Sequence, residues 1–401
     1  MIKVVSFIIL FLTFSSFPYI GNYVFGSFYI LVSSGLIALI SAVLIPKYFS
    51  DRLLTKRSEE WLVIWFIYLL SVLFYALFLG IREETLIDFR RFIGLFFKVL
   101  FVFSCIVLVI RSNELVNIFL KVNCLIALLS IILFVLLTSG LPFPFFTFTK
   151  LDGREHYFFL IGASNVVYNW AGVTTLRIAG FADEPGAFAL MLNYFLIVNE
   201  VTFKNSYYRW IFSIAGVLTF SLAFYLTFIL FITYWLISGV INFKRLVLLT
   251  TLGVAIFISF SVVYQIEALS KIFDIMFDRF QYDDSTGTFV GDNRSGSFAL
   301  QLQAINDNIF LGLGDNVDEK AKYELYNPSI ISFIANYGFF GVIFFLLPVY
   351  SLIVKYIRTK EVLLILVLLI SYFQRPGIED MFSMLSLSFI YTYSNNKFRF
   401  G

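Results

Sequence analysis

Histidine, cysteine and charge are all scarce in this sequence. One His and two Cys leave a metal centre built on those ligands almost without donors. Cys105 and Cys124 both fall inside apolar stretches, where free cysteines serve as packing residues rather than as a disulfide. Charged residues make up 14% of the chain, against roughly 25% in a soluble domain. The net charge of +3 offers nucleic acid no basic surface. There is no soluble nucleotide-binding unit, internal repeat or low-complexity tract, and no cofactor or metal is expected.

Apolar residues are present in great excess. They form 60% of the 401 residues, with 52 Phe and 23 Tyr. A soluble fold cannot hide that much apolar surface, and a disordered chain would not carry it. Eleven apolar stretches run at about 3–17, 23–45, 61–81, 92–110, 114–138, 186–203, 210–240, 246–264, 329–354, 361–373 and 381–395. They are too long for the strands of a membrane barrel, which alternate over about 10 residues. The first stretch lacks a clear small-residue cleavage site, and the chain re-enters the membrane near Tyr23. It is therefore expected to be a retained helix.

Lysine and arginine set the orientation. With the N-terminus inside, fifteen of the 29 basic residues fall in short connections on one side, among them Arg209, Lys244, Arg245, Lys355, Arg358 and Lys360. Arg209 and Lys244 can both be inside only if 210–240 forms a short or re-entrant helical pair, because two full spans need about 20 residues each. Thr219 and Ser221 mark the break, which polar neighbours or a cavity must satisfy. The expected fold is all-α: a single integral membrane domain over 1–401, of about 12 transmembrane segments with both termini inside. Two long outer loops, about 139–184 and 265–328, should hold partly ordered segments packed on the outer face. The second carries eleven acids and five bases.

Two strings carry the distinctive residues. In the first, Arg177-Ile-Ala-Gly-Phe-Ala-Asp-Glu184-Pro185-Gly186, acids followed by Pro185 signal a helix start. Arg177 and Glu184 then stand at the mouth of the bundle, where a cation suits phosphate and a carboxylate can accept a proton. The second runs from Gly291-Asp-Asn-Arg294 through Asn306-Asp-Asn-Ile-Phe-Leu-Gly312-Leu-Gly314 to Tyr326-Asn327-Pro328 and Asn336-Tyr-Gly338-Phe-Phe-Gly341. Arg294 is an isolated base in an acidic loop, with Asp283, Asp284 and Asp292 as alternative partners.

With about twelve helices, these strings resemble the bacterial O-antigen and capsule repeat-unit polymerases of the Wzy type. Those belong to a superfamily with the O-antigen ligases, in the GT-C class of membrane glycosyltransferases. The resemblance implies transfer of an undecaprenyl-diphosphate-linked glycan onto a sugar hydroxyl of a second lipid-linked repeat unit. It places the reaction at the outer, periplasmic face of the bacterial inner membrane. A flippase and a Wzz-type chain-length regulator are the implied protein partners. Ligases resemble this region but carry a His before the Asn ahead of the Gly-x-x-Gly helix. Tyr326 precedes Asn327 here, which favours polymerase. The Arg-x10-Gly spacing of some polymerases is absent, since Phe188 and Ile305 stand where it would need glycine.

Roles follow from this reading. Arg177 and Arg294 would stabilise charge on a departing diphosphate, and Glu184 would accept the acceptor proton, with His156 or an Asp of 283–292 as runners-up. Tyr326, Asn327 and His156 are further candidates for holding substrate. Arg90 and Arg91 stand against the positive-inside trend, and Lys98 shares their helix face at membrane depth. The three are candidates for holding a lipid diphosphate, although Glu83, Glu84 and Asp88 can balance the arginines and Lys98 can snorkel outward. The alternatives are an O-antigen ligase and a lipid-linked oligosaccharide flippase; the latter would show related halves, midplane charge and short outer loops.

Overall fold

Long runs of Leu, Ile, Val and Phe bounded by Gly, Pro and polar pairs fold as helices in the computed structural model. It describes residues 2–15, 35–44, 46, 59–71, 89–111, 113–138, 145–149, 155–159, 162–170, 173–182, 184–240, 247, 282–283, 288–289, 298–313, 322–323, 325, 330–375 and 380–393. The described chain is mostly helical, with thirteen helices. These are α1 (Ile2–Ser15), α2 (Gly35–Leu44), α3 (59–71), α4 (Phe89–Arg111), α5 (Glu114–Thr138), α6 (Pro185–Val201) and α7 (Ser206–Leu218). They continue as α8 (Leu222–Ile237), α9 (Phe298–Asp307), α10 (Ile330–Phe345), α11 (Leu347–Tyr356), α12 (Val362–Gln374) and α13 (Met381–Tyr393). Among the described residues one helix, Glu114–Leu137, is by itself long and apolar enough to cross a membrane. The pair Ile330–Ile343 and Leu347–Tyr356, bent by 59°, passes the same test together.

The helices bury polar side chains and expose apolar ones. Ser104, Ser130, Ser213 and Ser388 are buried, and each hydroxyl donates to the carbonyl four residues back. That bond satisfies a hydroxyl without a partner helix. Leu125, Val135, Ile229, Val354 and Phe373 are each more than half exposed. Water would penalise this arrangement; hydrocarbon would not.

The all-α expectation describes the bulk of the chain but not the first long loop. Four strands lie there in a meander, β1 (Phe145–Thr149), β2 (Glu155–Phe159), β3 (Gly162–Trp170) and β4 (Val173–Gly180), in the order β1-β2-β3-β4. Each pairs antiparallel with the next. Trp170 opposite Val173 leaves only residues 171 and 172 for the last turn. β4 packs on α5, α6 and α7, which ties the sheet to the bundle. A second, two-stranded sheet joins β5 (Tyr282–Asp283) to β6 (Thr288–Phe289).

The bundle has two chemically distinct ends. At one, Glu200 and Arg209 form a buried two-pronged pair, Nε to Oε1 at 2.7 Å and Nη2 to Oε2 at 3.0 Å. Arg209 lies over the Trp235 ring, and Lys360 donates to the Ile237 carbonyl. Lys355 donates to the Tyr391 carbonyl, and Tyr391 stacks on Trp61. Three bases assigned to one side by the charge pattern, Arg209, Lys355 and Lys360, thus belong to one end. The other end holds the sheet, the start of α6 and the close of α12. Trp210 and Trp235 are ring neighbours, 6.2 Å between centroids, so α8 folds back along α7. The pair expected over 210–240 is a helical hairpin whose tip reaches the sheet end.

Two glycine strings dock backbone to backbone. Gly338 has φ +63 and breaks α10. The next turn then needs acceptors for its amides: Phe339 N donates to Ile309 O at 2.8 Å and Phe340 N to Phe310 O at 3.2 Å. Leu313 N returns a bond to Ala335 O at 2.9 Å. A Cβ on Gly312, itself at φ +68, would overlap the Asn336 carbonyl, and one on Gly338 would overlap the Phe310 carbonyl. Ala304, Leu313, Tyr323, Leu325 and Ala335 close a small core beneath. Gly312→Ala and Gly338→Ala should each lower the thermal midpoint well beyond Gly239→Ala. Gly239 shares the positive φ but has open space, so its change isolates the backbone strain of about 1–2 kcal/mol. Equal shifts in all three variants would contradict the docking.

Candidate functional site

Pro185 fixes the first turn of α6, and the extended backbone of Glu184 ends the loop before it. Ala187 N and Phe188 N both donate to the Glu184 carbonyl, at 3.1 Å each. The Glu184 side chain does not cap this helix. It forms an ion pair with Arg375 instead. Arg375 ends α12 and gives its amide to Ser371 O at 3.0 Å. The guanidinium lies against the first turn of α6: a Cβ on Gly186 would stand 3.6 Å from Arg375 Nη2, an ordinary contact. The Arg375 side chain is 12% exposed and that of Glu184 30%, so the carboxylate is the more open partner.

A polar line runs inward from this pair. Asn193, buried two turns along α6, donates to Ser371 Oγ at 3.0 Å and accepts from Thr227 Oγ1 at 3.1 Å. One amide therefore ties α6 to α12 and to the hairpin. Tyr194 and Tyr372, both buried, meet edge to face at 6.4 Å on the same two helices.

Arg177 lies on β4 and is buried. Its Nε donates to Thr219 O at 2.9 Å and its Nη2 to Phe220 O at 3.1 Å. Those carbonyls form the hairpin tip, where Phe220 takes φ +49. Thr219 Oγ1 also bonds Gly216 O at 2.6 Å, and Tyr225 Oη reaches Val217 O at 2.9 Å. The break expected at Thr219 and Ser221 is thus real, and its polar groups are met by Arg177, Thr219 and Tyr225.

The structure brings Glu184 together with Arg375 and gives Arg177 a backbone duty nearby. Arg90 and Arg91 fall on the first turn of α4, and Lys98 lies further along it, partly exposed. His156 sits on β2 opposite Phe148. Arg294, Tyr326, Asn327 and Asp292 lie outside the described residues. Asp283 is on β5. Among the described residues, no group of three or more His, Cys, Asp or Glu could hold a metal ion.

Arg375 is the residue that sequence reasoning missed. The signal was available: it stands in a short connection on the sparsely basic side, as Arg90 and Arg91 do. Glu200 was also passed over, inside the apolar stretch 186–203. Its pairing with Arg209 keeps a buried charge satisfied, and breaking such a pair costs about 3–5 kcal/mol.

No family model, curated protein or solved structure matches the chain. The residues and their geometry carry the functional argument alone.

Arg177→Ala should loosen the hairpin tip. Charged hydrogen bonds of this kind contribute about 1.5–3 kcal/mol. Hydrogen exchange across 215–222 should accelerate and the thermal midpoint should fall, with Arg177→Lys intermediate. Exchange there as slow as in the parent protein would contradict the assignment.

Proposed function

We propose that this chain is a multi-pass membrane glycosyltransferase working at the outer face of the bacterial inner membrane. Within that class we assign it as a surface-polysaccharide polymerase, using lipid-diphosphate-linked repeat units as donor and acceptor. The supporting observation is the Glu184–Arg375 pair, partly open at the sheet end of a bundle with apolar outer faces. It lies at the sheet end, as Arg177 does, opposite Arg209, Lys355 and Lys360. A carboxylate and guanidinium groups at one membrane face suit an acceptor hydroxyl and a diphosphate leaving group. The full proposal is a bundle of about 12 spans, in which short helices such as α7 and α8 cross as a hairpin and the sheet caps the outer surface.

In this mechanism the acceptor hydroxyl oxygen bonds to the anomeric carbon of the donor chain. The bond from that carbon to the diphosphate oxygen breaks, and its electron pair leaves with the lipid diphosphate. The hydroxyl proton passes to Glu184. Direct attack inverts the anomeric centre. Cationic groups stabilise the departing charge in a dry cleft; Arg294, with Arg90, Arg91 and Lys98, remains a candidate for this, while Arg177 contributes through the hairpin tip it fixes.

The test is the glycan ladder of a deletion strain. Loss of the chain should collapse the ladder to single repeat units, and the parent protein should restore it. Glu184→Gln, made at normal levels, should fail to restore it, because it keeps the shape and removes the base. A full-length ladder with Glu184→Gln would contradict the assignment. Lipid-linked units held on the inner leaflet would point to a flippase, and complete but unattached polymer to a ligase.

A further inference from the structure

The ion pair between Glu184 and Arg375 has a consequence for the order of events. A carboxylate engaged by a guanidinium is a weaker base than a free one. In the structure, then, the group assigned to accept a proton is held by a partner that restrains it. The partner is itself well anchored. Arg375 closes α12, its amide is bonded to Ser371 O, and Ser371 Oγ is held by Asn193 of α6. The guanidinium lies against the first turn of α6, at ordinary contact distance from where a Cβ on Gly186 would stand. Glu184 is the looser member, 30% exposed, and its side chain has no capping bond to its own helix. Of the two side chains, the carboxylate is the more open to exchange.

Guanidinium binds phosphate oxygens as readily as carboxylate, by the same two-pronged geometry. An incoming diphosphate carries more charge than the single carboxylate it would meet. We infer that Arg375 is a positioning residue that keeps Glu184 in a resting pair, and that the diphosphate of a bound donor exchanges with Glu184 for this guanidinium. Donor binding then releases the base, and acceptor deprotonation waits for the donor. This rests on the polymerase reading and deepens it.

The experiment uses the full chain in nanodiscs, with farnesyl diphosphate as the probe and farnesol as its uncharged control. Glu184→Gln removes the competitor for Arg375, so diphosphate binding should tighten about tenfold. That is a gain which a misfolded protein does not give. Arg375→Ala should weaken binding at least tenfold, and Arg375→Lys should fall between. In the double variant the gain from Glu184→Gln should vanish, and farnesol binding should respond to neither change. Binding unchanged by Glu184→Gln, or a gain that persists without Arg375, would overturn the exchange. An intact ladder in the deletion strain would instead overturn the polymerase reading, so the two failures are separable.

Discussion

Arg177 closes a gap in the helical backbone, and the sheet end of the molecule is built around that closure. At the turn between α7 and α8 the carbonyls of Thr219 and Phe220 need donors that the helices do not supply. Away from water an unmet carbonyl is costly. The guanidinium reaches both from β4. The same contact joins the four-stranded sheet to the hairpin. Seven residues on, Glu184 and Pro185 begin α6. The segment that leads into the candidate base is thus held by a backbone hydrogen-bonding requirement at Thr219, 42 residues from Arg177 in sequence.

The interior is organised by the same requirement. Asn193 ties three helices together, Glu200 and Arg209 neutralise each other, and serine and threonine hydroxyls fold back onto their own helices. Polar groups are met inside an otherwise apolar core, while further leucine, valine and isoleucine side chains stand on the outside. Such a bundle gains little from burying apolar surface when its surroundings are also apolar, so packing and interhelical hydrogen bonds hold it. The close approach of Gly312 and Gly338 backbones belongs to this economy, since small residues let chains come within bonding distance.

Much of this was legible in the residues. Glu184-Pro185 marked the start of α6, and Thr219 with Ser221 marked the hairpin tip, because both signals are local. The positive-inside pattern required the hairpin, and Arg209, Lys355 and Lys360 do share one end. What escaped was non-local. No spacing rule links Arg375 to Glu184, or Arg177 to Thr219. The strands over 145–180 hold Val166-Val-Tyr and Val173-Thr-Thr runs typical of sheets. They were masked by reading the segment only as a connection between spans. Glu200 was hidden because an acid within an apolar run has no local partner until the chain turns back.

The central claim is that this chain lengthens a glycan using lipid diphosphate as the leaving group. The most direct measurement supplies the purified protein in nanodiscs with a lipid-diphosphate-linked repeat unit and no nucleotide sugar. The account predicts products that grow by whole repeat units, with one lipid diphosphate released for each new linkage. A protein that binds the repeat unit but neither lengthens it nor releases lipid diphosphate would contradict the account.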